Sequence, residues 1–142
     1  MKKLPALLTL LAFAILPFSV SAAEEEKTEL GKQMTSMNKS LRTLKRQLPD
    51  PAKKQENLDL VKKINETVVE ACKLEPKKTA DIPAGEKAAY KIKYKEQMDG
   101  LSASFAKLGE AIKADNQDEA KKILDELSKQ KETGHKDFGV DD

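Results

Sequence analysis

Tryptophan is absent from the 142 residues, and histidine and cysteine occur once each, as His135 and Cys72. A lone cysteine cannot close a disulfide within the chain, so the fold has to rest on packing. Cys72 reads as a small buried hydrophobe, the alternative being a reactive thiol. One histidine and one distant cysteine make a poor transition-metal set. They leave no nucleophile and base pair either, and the acidic residues are scattered over helix faces, so the chain does not read as an enzyme. No segment alternates apolar and polar residues with period two, which excludes a recognisable strand.

Uninterrupted apolar sequence is also scarce. The one long run, Leu4 to Phe18, carries no charge; Lys2 and Lys3 precede it, and small residues follow up to Ala22 and Ala23. This is the three-part layout of a cleavable bacterial signal peptide, so residues 1–22 are expected to be removed, with cleavage after Ala22 or one residue later. A membrane anchor is the competing reading, but the run is shorter than the roughly 20 residues a spanning helix needs, and Glu24, Glu25 and Glu26 follow at once. The expected location is the periplasm, with no membrane association after cleavage.

Charge of one sign is lacking as well. The signal segment takes two of the 26 basic residues and none of the 24 acidic ones, which leaves 24 against 24. A neutral mature chain offers no basic field to nucleic acid or to an anionic membrane, and its lysines read as solvated helix faces. Residues 23–142 amount to one domain, long enough to bury a single core and expected to be a monomer.

What the sequence does contain is helical periodicity. From Lys27 to Gln47, Leu30, Met34, Met37, Leu41 and Leu44 follow one another at intervals of 4, 3, 4 and 3, a narrow apolar stripe. Pro49 and Pro51 stop it. Leu58, Val61, Ile64, Val68 and Cys72 mark a second helix that ends before Pro76. The stretch from Pro76 to Gly85, with two prolines and no period, is the longest connection. A third helix over Glu86 to Ala114 carries Met98, Leu101, Phe105, Leu108 and Ile112, despite the helix-weakening Gly100 and Gly109. Asp115, Asn116 and Gln117 form a polar turn, and Asn116 or Asp118 caps a fourth helix with Ala120, Ile123, Leu124, Leu127 and Phe138 on its apolar side. Four amphipathic helices with mostly short connections imply an all-α, antiparallel up-down-up-down four-helix bundle.

Two residues stand out in that bundle. His135 lies about 20° round the helix from Leu124 and about 80° from Leu127, so it leans inward. Taken alone it reads as a partly exposed residue near a helix end, where an imidazolium suits the dipole. Met34 sits in the middle of the first stripe, and taken alone it is a core methionine filling an irregular gap. Helix one starts and helix four ends at the same end of such a bundle. At about 1.5 Å per residue the two side chains stand within roughly one turn of each other in height. A thioether and an imidazole in one layer can ligate a haem iron from opposite sides. Met37 lies about 60° round the helix from Met34 and is the poorer placed of the two methionines.

Leu30-x-x-x-Met34-x-x-Met37-x-x-x-Leu41 near the mature N-terminus, with Leu127 and then His135 near the C-terminus, resembles the soluble cytochrome b562 family. The segment from Gly100 and Leu101 through Phe105 to Ile112 and Lys113 also resembles the family's third helix, and the turn from Ala114 to Glu119 its third connection. The resemblance implies a periplasmic electron carrier that holds one non-covalent haem b, with Met34 and His135 as iron ligands. It further implies that Leu30, Met37, Leu101, Phe105 and Lys131 line the haem and that the partners are redox proteins. No Cys-x-x-Cys-His occurs, which excludes the usual covalent attachment. The competing expectation is a haem-free periplasmic bundle, a binding or stress protein that keeps only the fold. The export reading has a direct check: intact mass of the periplasmic protein should show a chain starting at Ala23 or Glu24, whereas a membrane-bound product retaining Met1 contradicts it.

Overall fold

The apolar stripes place four helices, and a computed structural model, which describes residues 28–139, shows where each begins and why. The expected signal peptide, residues 1–22, lies outside the described residues, as does Lys27. Helix α1 (Glu29–Gln47) opens at Thr28, whose Oγ1 accepts the Gly31 N–H at 3.1 Å. Such a cap satisfies one of the amides that the first turn cannot pair internally. Asp50 plays the same part for a short 3-10 helix, Pro51–Lys53, which leads directly into α2 (Lys54–Ala71). Helices α3 (Lys87–Lys113) and α4 (Gln117–Phe138) follow, and no strand occurs among the described residues.

Three expectations are corrected in detail. The α2–α3 connection has structure of its own, because Lys77–Asp81 form a second 3-10 helix. Cys72 lies just past the end of α2 and is half-buried at the edge of the core. The α3–α4 turn is one residue earlier than expected, Gln117 being already helical; Asn116 is the cap, accepting the Glu119 N–H at 3.2 Å. In that turn Asp115 takes φ 57°, while the amides of Asp115 and Asn116 donate to the carbonyls of Ile112 and Ala111. Those two bonds close the end of α3 in the manner usually reserved for glycine. Lys54 secures the turn from outside, its Nζ lying 2.8 Å from both the Lys113 carbonyl and an Asp115 carboxylate oxygen.

Consecutive helices pack side by side and antiparallel. Ser102 donates to Asn65 at 2.7 Å and Tyr94 to the Ala71 carbonyl at 2.8 Å, so the residue numbers on α3 rise as those on α2 fall. Between α3 and α4, Gln130 Nε2 donates to Ser104 at 3.1 Å and Gln97 Nε2 to the Gln130 carbonyl at 3.1 Å. Every residue of the four expected stripes from Leu30 to Leu127 is in or against one core, with Leu44 and Leu108 fully buried. In contrast, α1 and α4 approach each other less closely at the backbone than any consecutive pair. The bundle therefore has one loose seam, crossed by a hydrogen bond from Lys45 Nζ, in the last turn of α1, to Ser128 Oγ.

Because Leu44 has no exposure and its neighbours cannot collapse freely into the space it leaves, Leu44→Ala should cost about 2–5 kcal/mol. Ile92, 60% exposed on α3, should tolerate alanine within about 0.5 kcal/mol. Urea denaturation of the two variants beside the parent measures both values; similar losses would contradict this account of the core.

Candidate functional site

The loose seam leads to a small apolar cavity near the end of the bundle where α1 begins and α4 finishes. Three helices line it: Met34 and Met37 from α1, Tyr94, Gln97, Met98 and Leu101 from α3, and Gln130, Lys131, Gly134, His135 and Phe138 from α4. The stripe spacing explains the choice. Positions 34 and 37 on α1, and 94, 98 and 101 on α3, are successive core positions 3 or 4 residues apart. On α4 the lining alternates between the flank facing α3 (Gln130, Gly134) and the flank that Ser128 shows to face α1 (Lys131, His135). His135 is half-buried as a residue, and its Nε2 is shielded from solvent.

Of the seven residues that the sequence singled out, the cavity brings together five: Met34, Met37, Leu101, Lys131 and His135. Leu30 is buried in the core one turn before Met34 and does not line the cavity. Phe105 is buried one turn beyond Leu101 and borders a separate surface groove between α2 and α3. The lining adds residues that the sequence reading missed. Tyr94 extends the α3 stripe four residues before Met98, a signal that was available. Gln130 is a polar residue on a helix flank and offered none; its carbonyl accepts from the Gln97 amide and its side-chain amide donates to Ser104, which ties α4 to α3. Gly134 packs beside the Gln97 amide, which would stand at ordinary contact distance, 3.9 Å, from a Cβ added there.

The donor set suits a haem iron: a thioether from α1 and an imidazole from α4 line one cavity whose other walls are mostly apolar and aromatic. Space is tighter, because the side chains close the cavity to about 30 Å³, little more than room for a water molecule. A planar macrocycle needs more room than the closed cavity gives, and the α1–α4 seam, where consecutive-helix packing is lacking, is the side on which the cavity is least tightly enclosed. Among the described residues no cluster of three or more His, Cys, Asp or Glu side chains could hold a metal ion. No helix there is long and apolar enough to cross a membrane.

With that geometry in place, comparison with known proteins adds one finding. A family model described as cytochrome b562 matches residues 29–138, from the first residue of α1 to the last of α4. No curated protein and no solved structure matches the chain.

The aromatic side of the cavity has its own electrostatics. Phe138 receives Tyr90 and Tyr94 edge-on, with ring centroids 5.3 and 5.2 Å away. Burial pushes the Tyr94 phenol well above its usual value, and the neighbouring Cys72 and Tyr90 push the same way. Tyr90 is raised too, by burial and then by Asp137. A tyrosine whose folded value exceeds its unfolded one stabilises the fold fully below about pH 10, and that contribution is lost as pH rises through the folded value. Stability should accordingly fall from about pH 10 upward. Tyr94→Phe should flatten that fall while costing about 1 kcal/mol at neutral pH, because the hydroxyl's hydrogen bond to the Ala71 carbonyl is lost and only the Leu74 N–H still serves that carbonyl. Denaturant midpoints measured against pH for both proteins provide the check; equal alkaline slopes would contradict it.

Proposed function

We propose, on the premise that this chain belongs to the cytochrome b562 family, that it is a periplasmic electron carrier whose iron ligands are Met34 and His135. The family consists of haem-binding electron carriers, not enzymes, and its haem b is held non-covalently. The observation that carries the reading to named residues is that a thioether from α1 and an imidazole from α4 line one apolar cavity at the bundle's loosest seam.

When bound, the haem supplies an iron that gains and loses one electron. Met34 and His135 would hold that iron, and with two protein ligands on it the group would favour electron transfer over oxygen or substrate chemistry. The thioether favours the ferrous state and raises the potential. Met37 and Leu101 would help to exclude water from the bound group, and Lys131 would offer an ammonium from the pocket lining. Leu30 and Phe105, one turn beyond the present lining on their own helices, would flank the bound group. The chain works as a monomer, its partners are redox proteins, and neither nucleic acid nor a membrane takes part.

One observation favours the other reading, a haem-free periplasmic bundle that serves in binding or stress: the cavity measures about 30 Å³ with its side chains as they stand. Absorbance spectra with added haem separate the two. On the electron-carrier reading, the reduced protein shows the sharp visible bands of a low-spin, six-coordinate b-type haem. His135→Ala abolishes or greatly weakens binding, since the chain has no second imidazole. Met34→Ala leaves a high-spin haem of lower potential. Met37→Ala costs about 2–5 kcal/mol of core stability without altering the ligand field. No uptake at micromolar haem, or an unchanged spectrum in His135→Ala, would leave the chain with the family's fold and without this function.

A further inference from the structure

The turn of α4 that carries His135 is held from outside the helix. Gly139 takes the left-handed conformation, φ 60°, and its N–H donates to the His135 carbonyl at 2.9 Å. The residue that presents the imidazole thus also supplies the carbonyl that closes the helix. The next two carbonyls, of Lys136 and Asp137, belong to the last turn and find no donor further along α4. Both accept from Lys78, whose Nζ lies 3.4 and 3.1 Å away. An ammonium there also meets the negative end of the helix dipole. The Lys78 stem passes so near Gly139 that a Cβ added to the glycine would stand 3.3 Å from Lys78 Cδ.

Lys78 comes from the 3-10 helix Lys77–Asp81 in the α2–α3 connection, nearly 60 residues from its partners. Other contacts on this turn are weaker candidates. Lys93 pairs with Asp137 at 2.9 Å, but this ion pair joins an exposed lysine to the half-buried Asp137 side chain and leaves the backbone carbonyls of the turn untouched. The Tyr90 hydroxyl reaches the Phe138 carbonyl only at 3.5 Å. Among the described residues, Lys78 alone joins two backbone carbonyls of the last turn and covers its glycine.

We propose that Lys78 is a positioning residue for His135: the α2–α3 connection acts as a clamp that keeps the last turn of α4 wound and so keeps the imidazole aimed into the cavity. The proposal rests on His135 being the haem ligand. Without the clamp the turn frays, the imidazole is aimed correctly only part of the time, and apparent haem affinity falls by that fraction.

Three variants test it with two readouts. Lys78→Met keeps the stem and removes the ammonium, Lys78→Arg keeps a donor, and Lys73→Met removes an exposed lysine paired only locally, with Glu70. In the haem-free protein, hydrogen exchange at the Gly139 amide should be about tenfold faster in Lys78→Met, the size expected for losing a charge-assisted hydrogen bond. Exchange in α3 should not change. Haem titration should show affinity lower by a similar factor and a larger high-spin fraction, with Lys78→Arg restoring both and Lys73→Met altering neither. Unchanged Gly139 exchange in Lys78→Met overturns the clamp whatever the haem does. Faster exchange with unaltered haem affinity and spin state overturns the positioning role and leaves the proposed ligand intact. Wild-type protein that takes up no haem overturns both the proposed function and the positioning role, and the exchange data identify that failure as one of ligation.

Discussion

The seam between α1 and α4 is the constraint on which the site depends. These helices stand at opposite ends of the described chain, share no connecting turn, and approach each other less closely than any consecutive pair. Their separation is therefore set indirectly, through α2 and α3 and a core in which Leu44, Ile64, Leu108 and Leu127 have almost no exposure. Close packing makes that framework stiff, while the seam keeps the freedom that the framework lacks. A planar group held between a thioether on one wall and an imidazole on the other requires this combination: fixed donors and one direction in which the walls can move.

The ends of the helices follow one device. At one end of the bundle Lys54 reaches from the start of α2 to the last carbonyl of α3 and to Asp115. At the other, Lys78 reaches from the α2–α3 connection to the last carbonyls of α4. In both cases the ammonium of a distant segment satisfies backbone acceptors that the helix leaves open, where the helix dipole also favours it. Lysine thus does more here than solvate helix faces.

The fold was legible because its strongest signal is local and repeated. The 4, 3, 4, 3 spacing from Leu30 to Leu44 and the spacing from Met98 to Ile112 specify buried faces without reference to any partner, and proline marks where α1 stops. Asn116 and Asp118 were equally good caps on paper; the hydrogen bond from Glu119 decides for Asn116. The 3-10 helix at Lys77–Asp81 was not legible, because it has no apolar period and is anchored on α4 through Lys78. Met34 and His135 could be matched in height by counting residues, yet Gln130 could not be foreseen, since a polar residue on a helix flank looks the same whether it meets water or another helix. Leu30 and Phe105 lie on the correct faces but one turn outside the cavity, a distance that sequence spacing does not resolve.

The central claim is that the α1–α4 seam admits haem b with Met34 on the iron. Proton–carbon NMR of the reduced, haem-loaded protein with isotope-labelled methionine methyl groups reads that bond directly, because a methyl group held against the face of the macrocycle is shifted far upfield by its ring current. After signal cleavage three methionines remain, Met34, Met37 and Met98, and their signals can be assigned by replacing each with leucine. One strongly upfield methyl that disappears in Met34→Leu and persists in Met37→Leu is the predicted result. A shifted signal that belongs to Met37, or three methyl groups all in the ordinary range, would contradict the account.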